Sequence, residues 1–159
     1  MVGTLRFAHP TDRREARTCG EGTYMKIFLS YLAVAVSFVA IDMVWLSLMA
    51  ERLYRPVLGD ILKPRPELAP AAVFYLIYTV GLFGFVVWPA QQAESPLRAL
   101  LFGALFGCVT YATYDLTNQA TLRNWSTALS IADICWGSVL AAISALVGYL
   151  VAHRLGAGA

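Results

Sequence analysis

Four long runs of apolar residues, separated by short polar connections, dominate the chain. They cover about residues 27–49, 71–88, 97–114 and 127–151. A membrane-spanning helix needs about 20 mostly apolar residues at ~1.5 Å rise per residue, and the four runs approach or exceed that length. The runs lack the strict alternation of polar and apolar residues that marks the strands of a membrane barrel. The pattern therefore predicts an all-α integral membrane bundle of four transmembrane helices.

The connections carry the residues that end and begin helices. Pro89 is predicted to end the second run and Pro96 to begin the third. Residues 50–70 contain four prolines and five apolar residues at helical spacing, namely Tyr54, Val57, Leu58, Ile61 and Leu62. This pattern fits either a short amphipathic helix at the membrane interface or an ordinary polar loop.

Residues 1–24 are polar and show no apolar periodicity. We expect them to be a disordered tail or the product of a wrongly assigned start, and Met25 to begin a transmembrane domain of residues 25–154. The following apolar run is longer than the ~7–15 residues of a signal-peptide core, so it is not a cleaved signal. The charge bias favours a cytoplasmic N-terminus for the whole chain, and it reverses if translation starts at Met25. The sequence therefore leaves the topology open.

Composition narrows the class of protein. The chain has 159 residues, of which 58% are hydrophobic and 14% are charged, and its mean hydropathy is +0.61. Soluble domains are about a quarter charged. These values exclude a disordered chain, a nucleic-acid-binding module and an ordinary soluble domain. The three cysteines and two histidines form no metal-binding motif, and both histidines lie outside the runs.

Three aspartates, Asp42, Asp115 and Asp133, lie within the runs or at their edges. A charged residue at the centre of a membrane helix costs about 2.5–3.5 kcal/mol, so hydrogen bonds, protonation, water or a bound cation must compensate. In an antiparallel bundle all three fall in the same half of the membrane. We therefore expect a one-sided pocket in which these three aspartates are the catalytic residues.

Aromatic residues accompany the acids at helical spacing. The first run contains Asp42-x-x-Trp45 and the fourth contains Asp133-x-x-Trp136, so each helix presents both side chains on one face. The two motifs hint at an inverted internal repeat, although chance also explains them. The predicted pocket residues are Tyr75, Tyr78, Tyr111, Tyr114, Asn118, Trp45 and Trp136. Packing within the bundle, aromatic belts at the interface and local capping are the structural alternatives for these residues.

The third run carries a stripe at four-residue spacing, formed by Gly103, Gly107, Tyr111 and Asp115. The two glycines allow a neighbouring backbone to approach closely. The same helix face therefore leads from a packing surface to the predicted pocket.

The segment from Tyr111 to Asn118, which reads YATYDLTN, resembles the bacterial membrane family called domain of unknown function 2177. Asp133-x-x-Trp136-Gly137 and the opening Met25-Lys26 match the same family, as does Asp42-x-x-Trp45. The resemblance covers about residues 25–151. It implies a small, multi-pass, four-helix protein of the bacterial inner membrane, and it supplies no reaction. It points to four site positions, namely Asp42, Asp115, Asn118 and Asp133.

Three functions fit these observations. The first is a lipid pocket or small membrane enzyme that uses acid/base chemistry on an amphipathic molecule. The second is a proton- or cation-coupled transporter subunit, for which four spans would require a dimer. The third is a structural or accessory subunit of a membrane complex. In the half of the membrane opposite the acids, the runs contain few polar side chains beyond Ser30, Ser37 and Ser144. This scarcity favours a pocket over a conduit.

The expected partners are the lipid bilayer and either a second copy of the chain or a membrane-complex partner. No nucleic acid is expected. No cofactor is predicted from a motif, but three carboxylates leave room for a divalent cation such as Mg²⁺, Ca²⁺ or Mn²⁺, which prefer hard oxygen ligands. The sequence offers no ligand spacing with which to identify a metal.

Overall fold

A computed structural model describes the backbone of residues 10–63 and 65–157 and the side chains of residues 22–59, 61–63 and 65–156. All regular elements within these residues are helical. The α-helices are α1 (Pro10–Met49), α2 (Arg55–Leu58), α3 (Leu68–Leu82), α4 (Trp88–Gln92), α5 (Pro96–Thr121) and α6 (Thr127–Ala157). A short 3₁₀ helix, Gly59–Ile61, follows α2.

Two π-helical segments extend two of the helices. The first π-segment, Ala50–Tyr54, continues α1 into α2, so the connection begins as a continuation of the first span. The helix ends at Gly59, whose positive φ of 49° suits a residue without Cβ. The predicted alternatives for this connection, a separate interfacial helix or a plain loop, both missed this continuation.

The second π-segment, Phe83–Val87, joins α3 to α4. The prediction that Pro89 ends the second span was wrong, because α4 runs through Pro89 to Gln92. Within the π-segment the backbone bonds reach the fifth residue, as Trp88 N–H does to Phe83 O. This wider turn changes which carbonyl lies against the proline ring, and the helix continues past it.

Within the described residues, four helical stretches are long and apolar enough to cross a membrane: Gly22–Leu58, Leu68–Gln92, Pro96–Thr121 and Thr127–Gly156. They confirm the predicted four-helix, all-α membrane bundle, and each contains its predicted run and extends beyond it. Their outer surfaces carry large exposed apolar side chains, for example Phe85 and Ile77, as a helix facing lipid does. The chain is therefore a multi-pass membrane protein.

Part of the predicted N-terminal tail is helical. The backbone of α1 begins at Pro10 and runs through residues 10–24 into the first span. Residues 1–9 lie outside the described part of the chain. The assignment of residues 1–24 as a tail, and of Met25 as the start, stays a prediction.

Helices α5 and α6 pack against each other most closely. At Gly107, an added Cβ would lie 2.1 Å from the carbonyl oxygen of Gly137, and at Gly103 it would lie 2.9 Å from that of Ala141. Close approach of this kind replaces the hydrophobic effect as a source of helix association within lipid. Glycine on the predicted stripe therefore sets the spacing of α5 and α6.

The core lies between α1, α6 and the second half of span two. Its fully buried side chains include Val34, Phe38, Leu82 and Leu140. The second π-segment also contacts α5 and α6, whereas α3 itself makes few close backbone contacts with α5. Because α3 stands away from α5, space opens between them in the half of the bundle that contains the aspartates.

Candidate functional site

The space beside α3 is a cavity of about 430 Å³ bounded by all four spans. A volume of this order is typical of a small-molecule site. Its lining combines acidic, aromatic and apolar side chains, namely Asp42, Leu46, Tyr54, Ala71, Phe74, Tyr75, Tyr78, Thr110, Tyr111, Tyr114, Asp133 and Trp136.

Asp42 connects three helices through its carboxylate. The hydroxyl of Tyr75 on α3 donates a hydrogen bond to Oδ2 at 2.7 Å, and Nε1 of Trp136 on α6 donates to Oδ1 at 3.2 Å. The residue is 5% exposed. Both oxygens are thus held by neutral donors, which orient the carboxylate at the cavity wall.

Asp133 is held by the extension of α1. The hydroxyl of Tyr54 in the first π-segment donates to Oδ1 of Asp133 at 2.5 Å, and Nε1 of Trp45 donates to the same hydroxyl oxygen at 3.1 Å. Asp133 is 4% exposed and lines the cavity. Its second oxygen, Oδ2, accepts no hydrogen bond from the described residues, so it is available to a ligand.

The tryptophan of each Asp-x-x-Trp motif helps to hold the aspartate of the other motif on the neighbouring helix. Trp136 of the second motif donates to Asp42 of the first, and Trp45 of the first supports Asp133 of the second through Tyr54. The two indole rings stack at 4.4 Å with an interplanar angle of 9°. In this crossed arrangement the two aspartates have the same role and the two tryptophans have the same role, as in an inverted repeat. The duplication itself stays a hypothesis.

The tyrosines line the walls in different ways. Tyr78 shares a hydrogen bond of 3.1 Å with Thr110 and packs edge-on against Phe106 and Tyr111, which bridges α3 and α5. The ring of Tyr111 lies over Gly137, where an added Cβ would be 2.1 Å from it. The Tyr111 hydroxyl has no hydrogen-bond partner among the described residues, whereas Tyr114 is exposed at the rim.

Not every predicted residue joins the cavity. Asp115 is fully buried, does not line the cavity, and neither of its oxygens has a hydrogen-bond partner in the described part of the chain. Asn118 is half-buried and also lies outside the lining. Trp45 does not line the cavity either, but it stacks on Trp136, which does. Of the expected three acids, two share the cavity.

A metal site does not follow from these positions. Among the residues that the structure describes, no group of three or more His, Cys, Asp and Glu side chains is arranged to hold a metal ion. Both oxygens of Asp42 already accept hydrogen bonds. Asp42 and Asp133 are the acidic side chains that the described part of the chain places at the cavity, and the divalent cation considered from the sequence stays an untested prediction.

Tyr54 is the most important residue that sequence reasoning missed. It was assigned to the connection, and only a helix continued past Met49 brings its hydroxyl to Asp133. The helical spacing of Tyr54, Val57 and Leu58 was the available signal. Four further lining residues carry no chemical signature that would have singled them out, namely Leu46, Ala71, Phe74 and Thr110.

The serines at the opposite end do not extend the cavity. Ser30 donates to the carbonyl oxygen of Gly148 at 2.8 Å and accepts from Gln91, and Ser37 donates to Ala33 O in its own helix. Ser144 is fully buried, and its hydroxyl has no partner among the described residues. Apolar core side chains lie between these groups and the aspartates.

Comparison with known protein families gives a match. A family model described as "Predicted membrane protein (DUF2177)" matches residues 27–150. This range contains every residue that lines the cavity. No curated protein and no solved structure matches the chain.

Proposed function

This chain belongs to the DUF2177 family of predicted membrane proteins, and we propose that it binds an amphipathic, lipid-like molecule within one half of the bilayer. The observation that carries the proposal is the position of the cavity. It lies inside the membrane-spanning bundle, beside the gap that α3 leaves next to α5. A molecule dissolved in the bilayer reaches such a site sideways, between two helices, without crossing water.

The lining suits a ligand with two chemically different ends. Leu46, Ala71 and Phe74 offer apolar surface, whereas Asp42 and Asp133 place carboxylates at the wall. Binding sites for small molecules usually combine mostly apolar walls with a few fixed polar groups that orient the ligand. An alkyl chain against the first group and a polar headgroup against the second satisfy both.

The same groups support proton exchange with the headgroup. A general acid or base must lie within hydrogen-bond reach of the atom that it protonates. Asp133 has a free oxygen at the cavity, and Tyr54 holds its other oxygen in place. We assign Asp133 the acid/base role and Asp42 the role of orienting Tyr75 and Trp136.

A pocket that is open on one side accounts for the packing better than a transport path. Val34, Phe38, Leu82 and Leu140 are fully buried on the side of the aspartates that faces the opposite membrane surface. A path for protons or cations requires polar groups or water along its length. This apolar layer favours binding from one side over a transport path, and the accessory-subunit alternative stays a prediction.

We also place the protein in the bacterial inner membrane. The sequence resemblance to a bacterial family supports this location, and bacterial outer-membrane proteins are typically closed barrels. Reporter fusions at the C-terminus of chains that start at Met1 and at Met25 test both the location and the orientation. Opposite reporter signals would show that the first 24 residues set the topology.

The test of lateral binding uses a matched pair of alanines on α3. Ala71 is half-buried and lines the cavity, whereas the next residue, Ala72, is exposed. Alkyl glycosides brominated along the chain quench tryptophans that they contact, and Trp136 lines the same cavity. In nanodiscs, we expect Ala71→Phe to remove the quenching that depends on Trp136, because the larger ring fills the cavity.

The control variant Ala72→Phe should quench as the unaltered protein does. The share of quenching that depends on Trp136 is obtained by repeating each measurement with Trp136→Phe. Equal Trp136-dependent quenching in the two alanine variants would contradict the proposal, because it would place the bromine atoms outside the cavity.

A further inference from the structure

Among the described residues, the cavity holds two buried carboxylates and no basic side chain. Its lining contains no Lys, Arg or His. The ion pairs among the described residues are Arg55 with Glu51 and Lys63 with Glu67, all exposed and in or next to the connection after span one. An unpaired carboxylate in a medium of low dielectric constant is costly, and a positive charge beside it offsets that cost.

The cavity also retains polar atoms that the protein does not use. Oδ2 of Asp133 and the hydroxyl of Tyr111 form no hydrogen bond with the described residues, and neither atom is among the fully enclosed polar atoms that lack a partner. The Asp133 residue is only 4% exposed, and both residues line the cavity. A ligand headgroup that interacts with an anionic oxygen completes this site.

Aromatic rings surround the same space. Six of the lining residues are tyrosine or tryptophan, namely Tyr54, Tyr75, Tyr78, Tyr111, Tyr114 and Trp136. The face of an aromatic ring attracts a cation within about 6 Å of its centre, and aromatic cages are a common means of binding quaternary ammonium groups. Carboxylates and ring faces both favour positive charge, and both disfavour an anionic headgroup.

We propose that the ligand of this cavity is a cationic amphiphile, an alkyl chain that ends in a protonated amine or, for binding without proton exchange, in a quaternary ammonium group. Its charged end lies against Asp133 and Asp42 among the tyrosine rings, and its chain leaves through the gap between α3 and α5. This inference rests on the proposed function, because it specifies the headgroup of the molecule that enters from the bilayer. The pairing also stabilises a cation that would otherwise be poorly solvated at that depth.

The test compares three probes that share one brominated alkyl chain and differ in headgroup. The headgroups are trimethylammonium, an uncharged sugar and sulfate. The full chain is placed in nanodiscs of an uncharged glycolipid, so that the bilayer supplies no ammonium group. Binding is followed by the tryptophan quenching that Ala71→Phe abolishes. We expect the trimethylammonium probe to bind at least about tenfold more tightly than either of the others.

Two variants locate the effect. Asp133→Asn keeps an oxygen that accepts from Tyr54 and removes the charge, so we expect the advantage of the cationic probe to fall to about threefold or less. Glu94→Gln removes an exposed acid in the loop between α4 and α5, outside the cavity, and should leave that advantage unchanged. Size-exclusion profiles confirm that each variant is folded, and if Asp133→Asn is not, the ranking of probes by the unaltered protein decides.

The outcomes separate the two proposals. Equal affinity for the cationic and uncharged probes would overturn the cationic headgroup and leave lateral binding intact. Quenching that Ala71→Phe does not reduce for any probe would contradict the proposed function itself. A tighter cationic probe whose advantage survives in a folded Asp133→Asn protein would overturn the assignment of the headgroup to this carboxylate.

Discussion

In one half of the bundle, Val34, Phe38 and Leu140 are fully buried and the helices close on one another. In the other half, the same spans surround a cavity of about 430 Å³ at Asp42 and Asp133. The closed half is built mostly from aliphatic side chains and a few aromatic rings, with small residues at the seam between α5 and α6. The open half is built from tyrosines and tryptophans whose polar ends meet the two carboxylates.

The difference shows two ways of holding helices together within lipid. Where glycine permits contact between backbones, dispersion between close atoms is sufficient. Where large rings keep the helices apart, hydrogen bonds to the two carboxylates, such as Tyr75 to Asp42 and Tyr54 to Asp133, join them. We therefore expect changes at the seam to affect folding most, and changes at the cavity to affect binding more than folding.

The largest effect is expected from Gly107→Leu. Its first added atom would lie 2.1 Å from the carbonyl oxygen of Gly137, and backbone cannot move aside as a flexible side chain does. Overpacking of this severity should destabilise the protein by at least about 3 kcal/mol. Thermal unfolding in detergent, followed by circular dichroism, measures the loss.

The matched control is Gly84→Leu in the second π-segment, where an added Cβ meets nothing within 4 Å. That variant should unfold at nearly the same temperature as the unaltered protein. If both glycine variants unfolded alike, then the close seam between α5 and α6 would not be what holds the closed half together.

A smaller effect on folding and a large one on binding are expected from Gly137→Ala. This glycine lies at the boundary between the two halves, and an added Cβ would lie 2.1 Å from the ring of Tyr111. The ring must shift towards the cavity, so binding of the trimethylammonium probe should weaken by about tenfold. The cost in stability should be about 1–3 kcal/mol.

A double-mutant cycle identifies the ring as the cause. With Tyr111→Ala already present, Gly137→Ala should have little further effect on binding, because the two residues interact directly. Additive effects in the cycle would contradict the contact between Gly137 and Tyr111 as the origin of the loss.

Run length alone was enough to predict the four spans, because each hydrophobic stretch had to match the thickness of the membrane. Their ends were not predictable in the same way. Helical hydrogen bonding continues beyond the apolar stretch, through the first π-segment to Leu58 and past Pro89 to Gln92. The continuation of the first span brings Tyr54 to Asp133. Because the predicted first span ended too early, Tyr54 was not among the predicted site residues.

The depth of the three aspartates in the membrane was predictable, but the side of the helix on which each one lies was not. Antiparallel order places Asp42, Asp115 and Asp133 in one half of the bundle. Direction depends on rotation about the helix axis, and a four-residue step turns by about 40°. From Tyr111, which lines the cavity, one such step is sufficient to take Asp115 out of the wall and into the protein interior.

A moderate loss of stability is expected from Trp136→Phe. The change removes the hydrogen bond from Nε1 to Asp42 and reduces the stacking on Trp45. We expect a loss of about 1–2 kcal/mol, from one hydrogen bond and part of an aromatic pair. Trp88→Phe, at the far end of span two, is the matched control and should lose less. A larger loss at Trp88 would mean that the crossed motifs contribute little to the open half.

The smallest effect, and the most specific test of the comparison, is expected from Tyr75→Phe. The ring stays and only the hydroxyl that donates to Asp42 is lost. Hydrogen bonds between membrane helices contribute about 0.6 kcal/mol on average, so the loss should be of that order. Tyr24→Phe, at an exposed tyrosine near the start of the first span, should change nothing.

The same substitution in an Asp42→Leu background decides what the hydroxyl does. If Tyr75 joins α3 to α1 through the carboxylate, then Tyr75→Phe has no effect on unfolding once the carboxylate is absent. If the loss persists, the hydroxyl contributes by another contact. The open half would then depend on ring packing, as the closed half depends on its aliphatic core, and the distinction between the two halves would be one of shape alone.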